Sequence, residues 1–306
     1  MRTAPDLRPP LIENLRRHVE RLAGLIGPRH LGRPRTLAAA ATLIEVELQQ
    51  SGYVVERLPY QVGDEEVANL VAEIPGTGGR LKTAEEIVVL GAHYDTIPET
   101  PGADDNASAV AVLLEVARLL QGCRPKRTVR FVAFPCEEMP YHQCGEMGSQ
   151  VYARLCRARG ERIWGMLCLE MVGFYSTERG SQQIPPTIPR IFRPLFPRRG
   201  NFLAAVGNLR SWRLLWKFRR GFKRAVRFPL FSIGLPEMVQ EIRRSDNSSF
   251  WDQGYPALML TDTSFLRNPH YHLASDTPET LDYARMAEVA LGVAGAVRKI
   301  ARAPRP

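Results

Sequence analysis

Five short polar clusters in this sequence each follow an apolar segment, and they combine imidazole with carboxylate side chains. In chain order the clusters are His93-Tyr-Asp95, Asp104-Asp105-Asn106, Glu137-Glu138, Glu170, and His270-Tyr-His272 with Asp276-Thr277. Imidazole with several carboxylates is a ligand set for zinc or a similar divalent ion in a hydrolytic site. The pattern therefore predicts metal-assisted hydrolysis.

Each cluster taken alone has an ordinary structural interpretation. Asp104-Asp105-Asn106 precedes a predicted helix and suits an N-cap, where acidic side chains also interact well with the helix dipole. Glu137-Glu138 could be a solvated surface pair, although it follows a buried type of strand, where two uncompensated carboxylates would be costly. The functional interpretation depends on the combination, because all five clusters lie at predicted strand ends.

The elements that position these clusters alternate along the chain. Apolar patterns predict strands at 53–58, 68–74, 87–90, 129–134, 164–171 and 256–261, and helices at 1–30, 36–50, 106–120, 148–159 and 282–301. This alternation favours an α/β fold, a three-layer α/β/α sandwich with a central, mostly parallel mixed sheet. The carboxyl edge of such a sheet usually carries the chemistry. We expect a single domain over 1–306, with 176–236 as a basic insertion or cap.

Composition and cysteine usage narrow the class of protein. The chain has 306 residues, of which 44% are hydrophobic and 24% charged, as in folded globular proteins. No apolar run reaches the ~18–20 residues needed to span a bilayer, and the N-terminal segment lacks the apolar centre of a secretion signal. Five cysteines without a C-x-x-C pair favour neither a disulfide framework nor a zinc ribbon. We therefore expect a cytoplasmic protein.

The positive charge is local. The formal net charge is +9, but 13 Lys or Arg and no acidic residue lie between Arg179 and Pro236, which leaves −4 for the rest. In 211–227, aromatic and basic side chains recur at helical spacing, which predicts an amphipathic helix with a basic outer face. Alternatives are a nucleic-acid or anionic-membrane surface over 190–227, or attraction of acidic peptides to the cleft.

The clusters form five motifs in a fixed order: GAHYD at 91–95, PGADDNAS at 101–108, the glutamate pair followed by Gly148-Ser149, LEM at 169–171, and YHxxSDT at 271–277. In order and spacing these motifs resemble peptidase family M28, a family of zinc peptidases that includes leucyl-type aminopeptidases, glutamate carboxypeptidases and glutaminyl cyclases. The resemblance covers roughly residues 30 to 300.

The resemblance implies a role for each of these residues. Asp104 would bridge two zinc ions, with His93 and Glu170 on one ion and Glu138 and His272 on the other. Glu137 would be the general base, and Asp95 would orient the imidazole of His93. A cis peptide bond is expected between Asp104 and Asp105.

Some residues depart from the family pattern. Glu170 replaces an aspartate found in many members, and Asn247 replaces the histidine of a Ser-Asp-His-x-x-Phe stretch near the substrate. Cys136 and Cys144 flank the glutamate pair and are interpreted as structural thiols, with a redox role as the alternative. His270 is interpreted as structural rather than as a ligand.

The leading hypothesis is a two-zinc aminopeptidase acting on peptides. One alternative is an acyltransferase resembling glutaminyl cyclase, which uses a single zinc ion. The other is a non-enzymatic binding protein that uses the basic segment. The oligomeric state is not predicted.

Overall fold

The structure is a computed structural model that describes residues 8–78 and 83–302. Its centre is one sheet of eight strands: β1 (Val55–Val62), β2 (Glu65–Ile74), β3 (Glu86–His93), β4 (Thr128–Phe134), β5 (Arg162–Glu170), β6 (Leu203–Asn208), β7 (Leu230–Leu235) and β8 (Ala257–Thr261). Across the sheet their order is β1-β2-β4-β3-β5-β8-β6-β7.

The four central strands are parallel. β3 pairs in parallel with β4 and with β5, and β5 pairs in parallel with β8. β1, β2 and β6 join through antiparallel pairs, whereas β7 runs parallel to β6. In register, His93 lies opposite Phe134 and Glu170 lies opposite Thr261, so the central strands end at one edge of the sheet.

Helices cover both faces of the sheet. They are α1 (Arg8–Val19), α2 (Pro34–Gln50), α3 (Ala109–Leu120), α4 (Gly148–Ala158), α5 (Trp212–Ala225), α6 (Asn247–Asp252) and α7 (Tyr283–Ala301). The two sides of β3 show this coverage directly: Val88 and Leu90 belong to a core cluster with residues of α1, α2, α3, α5 and α7, whereas Ile87 and Val89 belong to a cluster with residues of α4 and α6. The predicted three-layer α/β/α architecture with a mostly parallel mixed sheet is confirmed.

Segment 176–236 differs from the predicted insertion or cap. Its residues 203–235 form β6, α5 and β7, which extend the central sheet and its helical layer. α5 packs closely on α7. At Gly221 the two helices approach so closely that an added Cβ atom would lie 2.5 Å from Cα of Ala296. The two strands have six residues each and contain glycine, serine and alanine, so their strand pattern in the sequence is weak.

Two local features differ from the predicted helices. The first helix continues from α1 as a π-helical turn (Glu20–Ile26) and ends at Gly27, whose φ of 76° suits glycine. α3 begins at Ala109, because Asp105 and Asn106 have non-helical dihedral angles. None of the described helices is long and apolar enough to cross a membrane.

Candidate metal centre

The carboxyl ends of three neighbouring parallel strands bring four polar side chains together. β3 ends at His93, β5 ends at Glu170, and β4 runs into a turn that carries Glu137 and Glu138. Cys136 makes this turn with a φ of 60°. His272 reaches the same edge from the loop between β8 and α7. The sequence clusters therefore converge, as expected for an α/β sheet.

Two groups of three ligand atoms form at this edge, and they share one aspartate. In the first group, Nε2 of His93 lies 3.3 Å from Oδ1 of Asp105 and 3.4 Å from Oε2 of Glu170. In the second, Nε2 of His272 lies 3.1 Å from Oδ2 of Asp105 and 3.3 Å from Oε1 of Glu138. Each group has the composition and spacing of a divalent metal site.

The ligand atoms themselves support the presence of a cation. Nε2 of His93, Nε2 of His272 and Oδ1 of Asp105 are buried and make no hydrogen bond. Buried polar atoms in proteins normally have a partner, because an unsatisfied one costs free energy. These three atoms point into the two groups, so the residues fit a pair of divalent ions that they would coordinate.

The charge balance points the same way. Burial favours the neutral form of each titratable side chain. The carboxylates of Asp105 and Glu138 nevertheless raise the pKa of His272 to about 10. Burial opposes ionisation of Asp105 too, but the two imidazoles hold its pKa below the ordinary value. Burial and the charge of Asp105 raise the pKa of Glu138 to about 7. The pocket thus carries more carboxylates than cations, and a bound metal would displace protons.

Asp104 does not lie between the two histidines, so the structure does not support its predicted bridging position. Its Oδ1 accepts hydrogen bonds from the backbone N–H of Gly173 at 2.8 Å and from Oγ of Ser108 at 3.1 Å. Its Oδ2 accepts one from Nδ2 of Asn268 at 2.7 Å. The neighbouring residue, Asp105, occupies the shared position, because the backbone turns at Asp105 and Asn106 before α3 begins.

The cis peptide bond is also displaced by one residue from its predicted position. It joins Asp105 to Asn106 rather than Asp104 to Asp105, so that prediction was wrong. The Asn106 side chain is anchored below the site: its Nδ2 donates to the carbonyl of Leu169 at 3.1 Å, and its Oδ1 accepts from the N–H of Met171 at 2.9 Å.

Asp95 contacts His93 and the glutamate turn at once. Its Oδ1 lies 3.4 Å from Nδ1 of His93, which also lies 3.3 Å from the Asp95 carbonyl oxygen. Its two carboxylate oxygens accept the backbone N–H groups of Glu137 and Glu138, each at 3.1 Å. A carboxylate that restrains both a ligand imidazole and the next ligand segment fits the expected orienting role.

The side chain of Glu137 lies beside the first group of ligand atoms. Its Oε2 lies 3.9 Å from Nε2 of His93, and its Oε1 is buried without a hydrogen bond. Nδ1 of His142 lies 3.1 Å from that Oε1 and 3.1 Å from the Glu137 carbonyl oxygen. Burial raises the pKa of Glu137 well above its usual range. Such a carboxylate is suited to accept a proton.

Two supporting residues had no assigned role in the sequence analysis. The carboxylate of Asp276 accepts the N–H groups of Asp104 at 2.9 Å and Asp105 at 3.1 Å, and so holds the shared aspartate from behind. The fifth polar cluster and the YHxxSDT motif both contained this residue, but neither gave it a role. Ser245 donates to Oε2 of Glu170 at 2.6 Å and orients that ligand.

Arg29 is the least expected residue near the centre, since no motif surrounds it. It is fully buried, and its guanidinium donates to five backbone carbonyls, those of Leu22, Gly27, Tyr94, Pro101 and Gly102, at 2.8–3.0 Å. Burial lowers the pKa of Arg29 to about 10, so it stays charged at neutral pH. The guanidinium ties the N-terminal helical region to the loop that leads into Asp104 and Asp105.

Replacing Arg29 with methionine is expected to lower the free energy of unfolding by about 3–5 kcal/mol, because five buried carbonyls lose their donor. Urea unfolding of the variant and the wild type measures the difference. Arg35→Met, at an exposed position in the first turn of α2, is the control and should change stability little. A loss below about 1 kcal/mol for Arg29→Met would contradict the structural role assigned to Arg29.

The remaining predicted residues lie outside the two groups. Asn247 is buried, and its Nδ2 donates to the carbonyl of Ile242 at 2.8 Å. Nδ1 of His270 lies 3.0 Å from Oγ of Ser275. Cys136 is buried and Cys144 is exposed. None of these four side chains belongs to either group of ligand atoms.

The centre lies in a cleft of about 960 Å³ that borders a second, apolar pocket. Glu170, Arg244 and Tyr271 line both spaces. The apolar pocket is narrow, about 100 Å³, and is walled by side chains from β6, β7, β8 and the loop before β6, including Phe196, Phe202, Val206, Phe231, Ile233 and Met259. The segment expected to be an insertion therefore supplies much of this wall.

Comparison with known proteins agrees with this geometry. The sequence model of peptidase family M28 matches residues 69–297 of this chain. The Escherichia coli (strain K12) protein YfbL is 35% identical over 291 residues, which are 92% of this chain and 86% of YfbL. A probable leucine aminopeptidase of Trichophyton verrucosum is 29% identical over 241 residues, 73% of this chain, and the match spans 55% of that protein's length.

Solved structures show the same fold. A zinc aminopeptidase from Bacillus subtilis superposes with a TM-score of 0.73 at 16% identity, covering 94% of each chain. Fimbriiglobus ruber glutaminyl cyclase superposes with a TM-score of 0.67 at 20% identity, covering 97% of this chain and 99% of the other. From the match over residues 69–297 and the identity to YfbL, the chain belongs to peptidase family M28 and is a metallopeptidase.

Proposed function

We propose that this protein is a zinc-dependent aminopeptidase with two zinc ions. His93 and Glu170 would hold one ion, Glu138 and His272 the other, and Asp105 would bridge them. The observation that carries the proposal is the pair of three-atom groups that share Asp105, with buried nitrogen and oxygen atoms that lack hydrogen bonds. Three protein ligands per ion leave room for water or substrate, as in catalytic rather than structural zinc sites.

Zinc in such a site lowers the pKa of bound water and polarises the scissile carbonyl oxygen. Glu137 accepts the proton of the attacking water and returns it to the leaving amine. The position of its Oε2 near His93 supports this role. Asp95 keeps Glu137 in place through the hydrogen bond from the Glu137 backbone N–H.

The preference for the N-terminus rests on the similarity to leucine aminopeptidases. Two glutamates of the cleft, Glu137 and Glu241, belong to neither group of ligand atoms and would keep their negative charge when the ions are bound. They could attract the free α-ammonium group of a peptide. The narrow apolar pocket beside Glu170 would accept the first side chain, which favours leucine or another apolar residue at the N-terminus.

Elemental analysis of protein purified without chelators tests the metal count, and we expect about two zinc ions per chain. Chelation should abolish hydrolysis of leucine p-nitroanilide, and zinc should restore it. The corresponding glutamate substrate should be hydrolysed with a much lower kcat/KM. Control reactions with a blocked N-terminus should be inactive.

Other results would move the assignment to the alternatives. One zinc ion per chain with cyclisation of N-terminal glutamine, and no hydrolysis, would identify an acyltransferase like glutaminyl cyclase. No bound metal after added zinc would contradict an enzymatic role for the centre. A cytoplasmic location stays a prediction from the sequence.

A further inference from the structure

The basic helix α5 has two different faces. Leu214, Phe218 and Phe222 are buried against the rest of the protein. Trp212 and Trp216, one helical turn apart, are 60% and 49% exposed on the opposite side, and Leu209 just before the helix is 60% exposed. Large exposed apolar side chains aligned on one helix face are characteristic of an interaction surface.

Cations surround the two indoles on this outer face. The helix carries Arg213, Lys217, Arg219, Arg220, Lys223 and Arg224 and has no acidic residue. At helical spacing, Arg220 and Arg224 continue the i, i+4 row of Trp212 and Trp216. Arg213 and Lys217 lie on one side of this row, and Arg219 and Lys223 lie on the other. A helix with an apolar line between basic flanks has the chemistry of a peripheral membrane helix.

We propose that the outer face of α5 docks this protein on an anionic phospholipid surface. Indole rings favour the headgroup level of a bilayer, because they present an apolar body and one N–H donor. Arginine and lysine beside them would contact lipid phosphates while their aliphatic stems cover apolar surface. The six cations of α5, against a formal charge of −4 for the chain outside 179–236, also favour this face for contact with an anionic surface.

The position of the arginines argues against single-stranded nucleic acid as the partner. The guanidinium carbons of Arg213 and Arg220 lie 5.4 Å and 4.5 Å from the ring centroids of Trp212 and Trp216. Each guanidinium covers one face of its indole, which leaves fewer open ring faces for bases to stack on than a stacking platform for single strands offers. A second copy of the chain joined through the same face would place like charges together.

The fold sets the orientation of the docked protein. β6 is antiparallel to β8, so α5, which follows β6, begins at the sheet edge opposite the metal centre. Nζ of Lys217 lies 4.4 Å from the ring centroid of Trp164, near the start of β5, whose far end is Glu170. Docking through α5 would therefore leave the cleft open to peptides in solution.

Co-sedimentation with vesicles tests this proposal on the complete chain. We expect binding to phosphatidylcholine vesicles containing about one third phosphatidylglycerol, weakening as salt rises, and no binding to pure phosphatidylcholine. R213E/R220E should lower the partition coefficient by more than about tenfold. R198E/R199E makes the same change in net charge at exposed positions outside α5. It should bind like the wild type, apart from the general weakening that the lower net charge causes equally in both double variants.

Tryptophan emission gives a second readout. It should shift to shorter wavelength on anionic vesicles, and W212A/W216A should lose both the shift and most of the binding. Hydrolysis of soluble peptides should be the same for all variants, with or without vesicles, which also shows that the variants are folded. Absence of wild-type binding, equal loss in the R198E/R199E control, or preferential salt-sensitive binding to single-stranded DNA would each overturn the proposal.

Discussion

Replacing Glu137 with glutamine should lower kcat by about 10²–10⁴-fold, the usual contribution of a general base. Glutamine has nearly the same shape but cannot accept the proton of water. Because neither oxygen of Glu137 belongs to the two groups of ligand atoms, zinc content should stay at the wild-type value. Steady-state kinetics on leucine p-nitroanilide and elemental analysis of the same preparation measure the two effects.

A matched control separates this effect from a general loss of negative charge. Glu146→Gln makes the same change at an exposed position a few residues further along the chain. It should keep wild-type kcat and zinc content. If E137Q retained more than about a tenth of wild-type turnover, Glu137 would not be the base. If E137Q lost zinc instead, Glu137 would be acting as a ligand.

The second large effect concerns the two adjacent aspartates. Asp105→Ala should abolish stable binding of both zinc ions and all turnover, because each group of ligand atoms uses one oxygen of Asp105. Asp104→Asn should weaken zinc binding by about 10–100-fold, since its hydrogen bonds to Gly173 and Asn268 only support the ligand segment. Added zinc should therefore rescue activity of D104N but not of D105A.

Zinc titration with simultaneous activity measurement distinguishes the two variants. Circular dichroism of both proteins, compared with metal-free wild type, shows whether each is folded. The reverse pattern, with rescue of D105A and permanent loss in D104N, would restore Asp104 as the bridging residue implied by the family resemblance. Equal and complete loss in two folded variants would contradict a distinction between the aspartates.

The sequence predicted the edge of the sheet at which the centre lies, for an identifiable reason. His93, Glu137, Glu138 and Glu170 directly follow or end apolar strands, and parallel strands bring such positions together. His272 belongs to a cluster that follows β8 after a longer loop, and the family resemblance selected it over His270 as the ligand. Local sequence was sufficient here because a residue at a strand end has little freedom in where it lies.

The choice between Asp104 and Asp105 required the tertiary structure. Both residues have the same side chain, and both precede α3. The turn at Asp105 and Asn106 directs one carboxylate toward the histidines and the other toward Gly173. Hydrogen bonds from the backbone of both aspartates to Asp276, about 170 residues later, hold that turn. A sequence pattern contains no information on such a contact.

The sequence by itself determined the fold class, the chemistry of the ligand set and the basic character of α5, because these depend on residue type and local periodicity. The tertiary structure alone decided which aspartate is shared, the burial of Arg29 among five carbonyls, and the incorporation of residues 203–235 into the sheet. Each of these depends on contacts between segments far apart in the chain, where packing and hydrogen bonding outweigh local preference.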